Sequence, residues 1–220
     1  HTRGLQMYTL YWEYMAGSIV VQATLEAMNA DYRMEYVDMS AGQHLEPAFL
    51  ARNPAGRVPA LQLPDGGIMG ETSAIVTHLG EMAPTSGLTP RPGDPDRGDF
   101  LFWLSVMSTA GYITSGRVGH PERYARDRDA IRQVKAQGDK DYAAFFDLME
   151  NHIAGAPYFL PRGLTVLDFY LAMLAEWISD RDKALSQRPA LARLCSTVRE
   201  TPSYATALAA HAMPEPVLQA

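Results

Sequence analysis

The chain is short of cysteine, of basic clusters and of long apolar runs, and each shortage closes off a class of function. Cys195 is the single cysteine among 220 residues. It cannot form an internal disulfide, and no Cys-x-x-Cys redox pair can be built from it. This usage fits a reducing compartment, so a cytoplasmic location is expected. The formal net charge is -6, and no basic run is longer than a few residues. No nucleic-acid partner is therefore expected, because a phosphate backbone is met by clustered Lys and Arg. No apolar stretch approaches the roughly 20 residues that cross a bilayer, and no membrane partner is expected either. The histidines are scattered without ligand spacing, which argues against a metal site. Walker and dinucleotide glycine patterns, internal repeats and low-complexity segments are all lacking.

What remains is an ordinary globular composition, 47% hydrophobic and 20% charged, with ample material for a packed core. The opening "HTRGLQ" resembles a tag or vector remnant ahead of Met7 and is set aside. "MYTLYW" (Met7–Trp12) is short and aromatic-rich and reads as a strand. "SIVVQATLEAM" (Ser18–Met28) places Ile19, Val20, Ala23 and Ala27 at helical spacing, with Ser18 as its expected N-cap. "YRMEYVDM" (Tyr32–Met39) alternates and is a second strand, so the opening favours a right-handed parallel crossover. A short helix ending near Asn53-Pro54 comes next, then a strand over Val58–Leu63. The Asp65-Gly66 turn, a brief strand at Ile68-Met69 and a helix over Glu71–Met82 complete this part.

"APTSGLTPRPGDPDRGD" (Ala83–Asp99) holds four prolines and three glycines and marks a linker. Everything after it reads helical: Phe100–Thr109, Glu122–Asn151, Thr165–Ile178, Pro189–Thr201 and Pro202–Ala212. "TVLDFYLAMLAEWI" is apolar on nearly every face, the pattern of a helix in the centre of a bundle. Thr165-x-x-Asp168 is a capping-box pattern with a structural role. The fold class is α/β, βαβ-α-ββα, over residues 7–82, then a linker over 83–99 and an all-helical domain over 100–220.

"NPAGRVPAL" and "GETSAI", in this order and spacing, closely resemble the cytosolic glutathione transferase family, and the resemblance extends over essentially all of Met7–His211. It implies a thioredoxin-like first domain, a helical second domain, a homodimer, and glutathione as co-substrate attacking a hydrophobic electrophile. It also implies a cis bond at Val58-Pro59, which proline alone makes accessible. That leaves the Val58 backbone to pair with glutathione as an added strand. Glu71 and Thr72, at a helix start, are expected to take the γ-glutamyl ammonium and carboxylate; helix capping is a compatible role. Arg57 and His44 are expected near carboxylates of the ligand, though an exposed arginine needs no such role. Two alternatives stand beside the transferase: a binding protein that keeps the scaffold without efficient catalysis, and a glutathione-dependent lyase or isomerase.

Family members carry a tyrosine, serine or cysteine in the turn after the first strand, and here that turn reads "YWEYMAGS". The cysteine position of the bacterial branch falls on Gly17, so mixed-disulfide chemistry is not expected there. Ser18 is the first choice to face the glutathione sulfur, with pure N-capping as its competing role. Tyr14 and Tyr8 are the rival hydroxyls. Glu13 would oppose a thiolate and is expected to point away. Trp103, Met107, Tyr112 and Trp177 are candidate apolar contacts for the second substrate, and plain core packing explains each equally well.

Overall fold

The computed structural model describes residues 7–214, so the "HTRGLQ" segment lies outside it. In chain order the elements are β1 (Tyr8–Trp12), α1 (Ser18–Ala27), β2 (Tyr32–Tyr36), α2 (Pro47–Leu50), β3 (Ala60–Gln62), β4 (Ile68–Gly70) and α3 (Thr72–Met82). They continue with α4 (Arg97–Val106), α5 (Ile113–Gly119), α6 (Arg128–Glu150), α7 (Val166–Glu176), α8 (Arg181–Ser186), α9 (Pro189–Glu200) and α10 (Pro202–Ala210). Two compact units result: residues 7–86 with 201–214, and residues 87–200. Among the described residues no helix is long and apolar enough to cross a membrane.

In the first unit the strands form one mixed sheet in the order β2-β1-β3-β4. β1 runs parallel to β2 and antiparallel to β3, and β3 runs antiparallel to β4. This is the expected βαβ-α-ββα thioredoxin-like arrangement. Leu10 and Tyr11 point to opposite faces of the sheet, as successive strand residues must, yet both are buried. Tyr11 packs with Val37, Phe49, Val58 and Ala60, its ring edge-on to Phe49 at 5.9 Å. On the other face α1 packs against β1 and α3. The expected hairpin forms at Asp65-Gly66: Gly66 has φ 91, and the Asp65 carboxylate accepts from Gly67 N–H at 2.9 Å.

One boundary differs from the sequence expectation. α10 groups with the first unit and not with the preceding helices, because it packs along α1. An amphipathic helix shows in its own sequence that it needs a partner, but not which one.

The second unit is helical, with α7 at its centre: every residue from Val166 to Ala175 is buried. The capping box forms, with Thr165 N–H donating to Asp168 Oδ2 at 2.7 Å. α4 begins inside the expected linker and continues through a π-helical turn, residues Met107–Tyr112, into α5. Gly111 marks the reason for glycine in that turn. A β-carbon there would lie 2.6 Å from Phe145 Cζ and 2.7 Å from Leu174 Cδ1, closer than packed atoms tolerate. Cys195 is buried in α9, and burial pushes its thiol up to about 12, which leaves it protonated and inert.

Candidate functional site

The sheet register brings three sequence-distant segments to one end of the first unit. Tyr11 on β1 is paired with Ala60 on β3, and Ala60 with Gly70 on β4. Neighbouring strands lie about 4.8 Å apart. The turn leaving β1, the Val58-Pro59 entry to β3 and the Glu71-Thr72 exit from β4 therefore sit side by side.

The Val58-Pro59 bond is cis. The Val58 side chain is buried in the Tyr11–Phe49 cluster, so its backbone is the part available to a ligand. Asn53, which sequence reasoning passed over, shapes the approach to this bond. Its Nδ2 donates to Arg57 O at 2.8 Å and its Oδ1 accepts from Ala55 N–H at 3.2 Å. Gly56 follows with φ 58, and a β-carbon there would meet Leu45, Leu50 and the His44 carbonyl at 3.2–3.3 Å. The loop thus closes onto the segment that carries His44, bringing His44 and Arg57 into one neighbourhood. Arg57 itself is exposed. Among the described residues His44 Nδ1 is buried without a hydrogen-bond partner. The sequence signal for Asn53 was present: Asn before Pro is a turn former whose side chain bonds the backbone two residues on.

Glu71 is exposed and is the N-cap of α3, with φ 63 and ψ 111 and no side-chain capping bond. A non-glycine residue held in that region is strained, and such strain concentrates at ligand sites. The strain turns the chain sharply from β4 into α3 and leaves the Glu71 carboxylate free of a capping duty. Thr72, beside it, is buried as the first residue of α3. The helix end is therefore open to an anionic ligand group.

The hydroxyl candidates are not brought together. Tyr8 opens β1, four residues before Trp12, and so lies about 13 Å from the turn along the strand. Burial also raises the pKa of its phenol, which opposes its ionisation. Tyr14 leans the other way: its ring contacts Trp12 at 5.0 Å and Tyr36 at 5.3 Å. Tyr36 belongs to β2, on the side of β1 opposite β3 and β4. Glu13 is turned back on the chain, its carboxylate accepting from Tyr14 N–H at 2.7 Å and Met39 N–H at 3.0 Å.

Ser18 does not cap α1. The N-cap is Gly17, which makes no side-chain capping bond, and Ser18 is the first helical residue, with no exposed surface. Its hydroxyl lies 2.9 Å from His211 Nε2 and 3.3 Å from Glu13 O. The position is one residue too deep in the helix for a cap, and the hydroxyl has been recruited elsewhere. His211 was missed altogether.

The four apolar candidates belong to the second unit and form two clusters plus a core residue. Tyr112 meets Trp177 edge-on at 5.2 Å and Tyr170 at 6.3 Å. Trp103 packs with Phe159 at 5.4 Å and His152 at 4.7 Å. Met107 has no exposed surface. Among the described residues Trp177 Nε1 is buried without a hydrogen-bond partner.

A family profile described as Glutathione S-transferase, N-terminal domain, matches residues 18–82. The maleylacetoacetate isomerase of Rhizobium meliloti is 32% identical over 149 residues, which are 66% of this chain and 69% of that one. The glutathione S-transferase GstA of Escherichia coli O157:H7 is 26% identical over 211 residues, covering 93% of this chain and 98% of its own. A solved glutathione transferase homolog from Sulfitobacter, with bound glutathione, is similar with a TM-score of 0.84 and 25% identity. That match spans 94% of this chain and 99% of the other.

Proposed function

This chain belongs to the glutathione transferase family, and from that premise we propose that it binds glutathione at the shared end of β1, β3 and β4 and directs its thiolate at a hydrophobic electrophile. The observation that carries the reading is the register that sets Val58, Glu71 and the turn after β1 side by side. The Val58 backbone pairs with the cysteinyl part of the tripeptide, as an extended peptide pairs with a sheet edge. Glu71 takes the ammonium of the γ-glutamyl group, while Thr72 and the amino end of α3 take its carboxylate. Arg57 and His44 serve the remaining carboxylate, and Pro59 fixes the turn at the entry to β3.

The thiolate is the nucleophile, and a free thiol titrates near 8.5. Lowering that by about two units takes roughly 2.7 kcal/mol of preferential stabilisation. The amino end of α1 supports part of this through its aligned peptide dipoles. Tyr112, Trp177 and Trp103 are the proposed apolar contacts for the electrophile; Met107, fully buried, serves the core. A cytoplasmic homodimer is part of the same proposal, and sedimentation at micromolar concentration tests its oligomeric state.

Calorimetric titration with glutathione tests the binding site. Thr72→Ala is expected to weaken affinity about tenfold, the cost of one charge-assisted hydrogen bond. Equal affinity of parent and variant would move the carboxylate elsewhere. A second reading, a glutathione-dependent isomerase, is favoured by the 32% identity to the Rhizobium meliloti maleylacetoacetate isomerase. Stoichiometry separates the two: a transferase consumes one glutathione per product, whereas an isomerase turns over with glutathione regenerated.

A further inference from the structure

The turn after β1 is held by a residue from the far end of the chain. His211 follows α10 as its C-cap and has no exposed surface. Its Nδ1 lies 2.9 Å from Ala207 O, which also accepts the His211 backbone N–H at 3.1 Å. A carbonyl only accepts, so Nδ1 carries the ring proton and Nε2 of the neutral imidazole offers a lone pair. Burial lowers the His211 pKa to about 4, which keeps the ring neutral at physiological pH. The Ser18 hydroxyl, 2.9 Å from Nε2, is therefore the donor in that bond. His211 holds the turn at two further points. Its carbonyl accepts Met15 N–H at 3.1 Å, where Met15 sits at φ 46, and its ring meets Trp12 edge-on at 4.9 Å.

We infer that His211 is a positioning residue for thiol activation: by accepting a hydrogen bond from Ser18 and holding Met15, it aims the amino end of α1 at the sulfur of bound glutathione. The inference rests on the reading that this sulfur lies at the turn after β1. It has a chemical consequence for Ser18. The hydroxyl proton is taken up between His211 Nε2 at 2.9 Å and the more distant Glu13 carbonyl at 3.3 Å, so Ser18 offers the site only lone pairs and does not donate to a thiolate. Thiolate stabilisation then falls to the aligned peptide dipoles at the start of α1. His211 is not the final proton acceptor, since an imidazole titrating near 4 is too weak a base to hold a thiol proton at neutral pH.

Two substitutions separate positioning from mere packing. His211→Asn reaches the place of Nδ1 and keeps the Ala207 contact but falls short of Ser18. His211→Gln offers an acceptor near the place of Nε2. The readouts are circular dichroism and thermal unfolding for the fold, glutathione affinity, the ultraviolet titration of the bound thiol, and kcat and KM with an activated aryl halide. His211→Asn is expected to raise the thiol midpoint by about one unit and to lower kcat about tenfold, with glutathione KM within about twofold. His211→Gln is expected to recover most of both. If both variants unfold, Ser18→Ala severs the same link from the other side and is expected to give the same rise. A folded His211→Asn that keeps the parent's midpoint and kcat, or a His211→Gln no better than His211→Asn, overturns the inference. So does an unchanged midpoint in Ser18→Ala. A parent that lowers the bound thiol's midpoint while the variants match it refutes His211's role alone. A parent whose bound thiol titrates as free glutathione refutes the functional reading, and the inference falls with it.

Discussion

Removing the Asp168 carboxylate should cost far more than removing the threonine it caps with. Asp168 is fully buried, and its two oxygens accept from Phe159 N–H at 2.7 Å, Thr165 N–H at 2.7 Å and the Thr165 hydroxyl at 3.0 Å. The Asp168→Ala variant strands two buried backbone donors, each at about 1–3 kcal/mol, so a loss of about 3–4 kcal/mol is expected at pH 7. Thr165→Ala loses the 3.3 Å capping bond from Leu167 N–H and the 3.0 Å hydroxyl bond to Asp168, and should cost about 1–2 kcal/mol. Burial pushes Asp168 up from 3.8 to about 6, outweighing the hydrogen bonds that favour its ionised form. The folded state therefore binds the proton more tightly than the unfolded one. The stability from this shift is complete below about 3.8 and is lost as pH rises through about 6. Urea unfolding at pH 7 and pH 4 reads both effects. The gap between parent and Asp168→Ala should widen by about 2 kcal/mol at the lower pH. A gap below about 1 kcal/mol at pH 7, or one that narrows on acidification, would refute the reasoning.

His211 predicts the opposite slope. Its folded pKa is lowered from 6.5 to about 4, so the parent should lose about 3 kcal/mol relative to His211→Gln as pH falls from 7 to 4. Equal slopes in urea titrations would show that the ring is accessible to protons. Gly111→Ala should destabilise the protein by about 1–2 kcal/mol although alanine is the better helix former, since the added methyl meets Phe145 and Leu174 below 3 Å. A rise in Tm would contradict this. Asn53→Ala removes both bonds that shape the loop before Val58 and should weaken glutathione binding several-fold by calorimetry. Unchanged affinity would separate that loop from the site.

The elements that were legible in the sequence are those whose cause is local. β1 follows from its short aromatic-rich run, β2 from alternation, the β3–β4 hairpin from Asp65-Gly66, and α7 from an apolar surface on nearly every side. α8, six residues long, carries too short a pattern to be read. The grouping of α10 with α1 has no local cause, and neither does the π-helical turn at Met107–Tyr112. That turn depends on how closely Gly111 approaches Phe145. At the candidate site, Val58, Pro59, Glu71 and Thr72 stand out through the resemblance of "NPAGRVPAL" and "GETSAI" to the family's motifs, where proline and the strand-to-helix change punctuate the chain. Ser18 was placed one position off its structural role. His211 could not be read at all, because a hydrogen bond spanning 193 positions leaves no period or spacing behind it.

The central claim is that this protein binds glutathione and favours its thiolate. Ultraviolet titration of the thiol at saturating protein tests it most directly. The account predicts a midpoint about two units below the roughly 8.5 of a free thiol. A bound thiol that titrates as free glutathione does, or a protein that fails to bind glutathione at millimolar concentration, would contradict it.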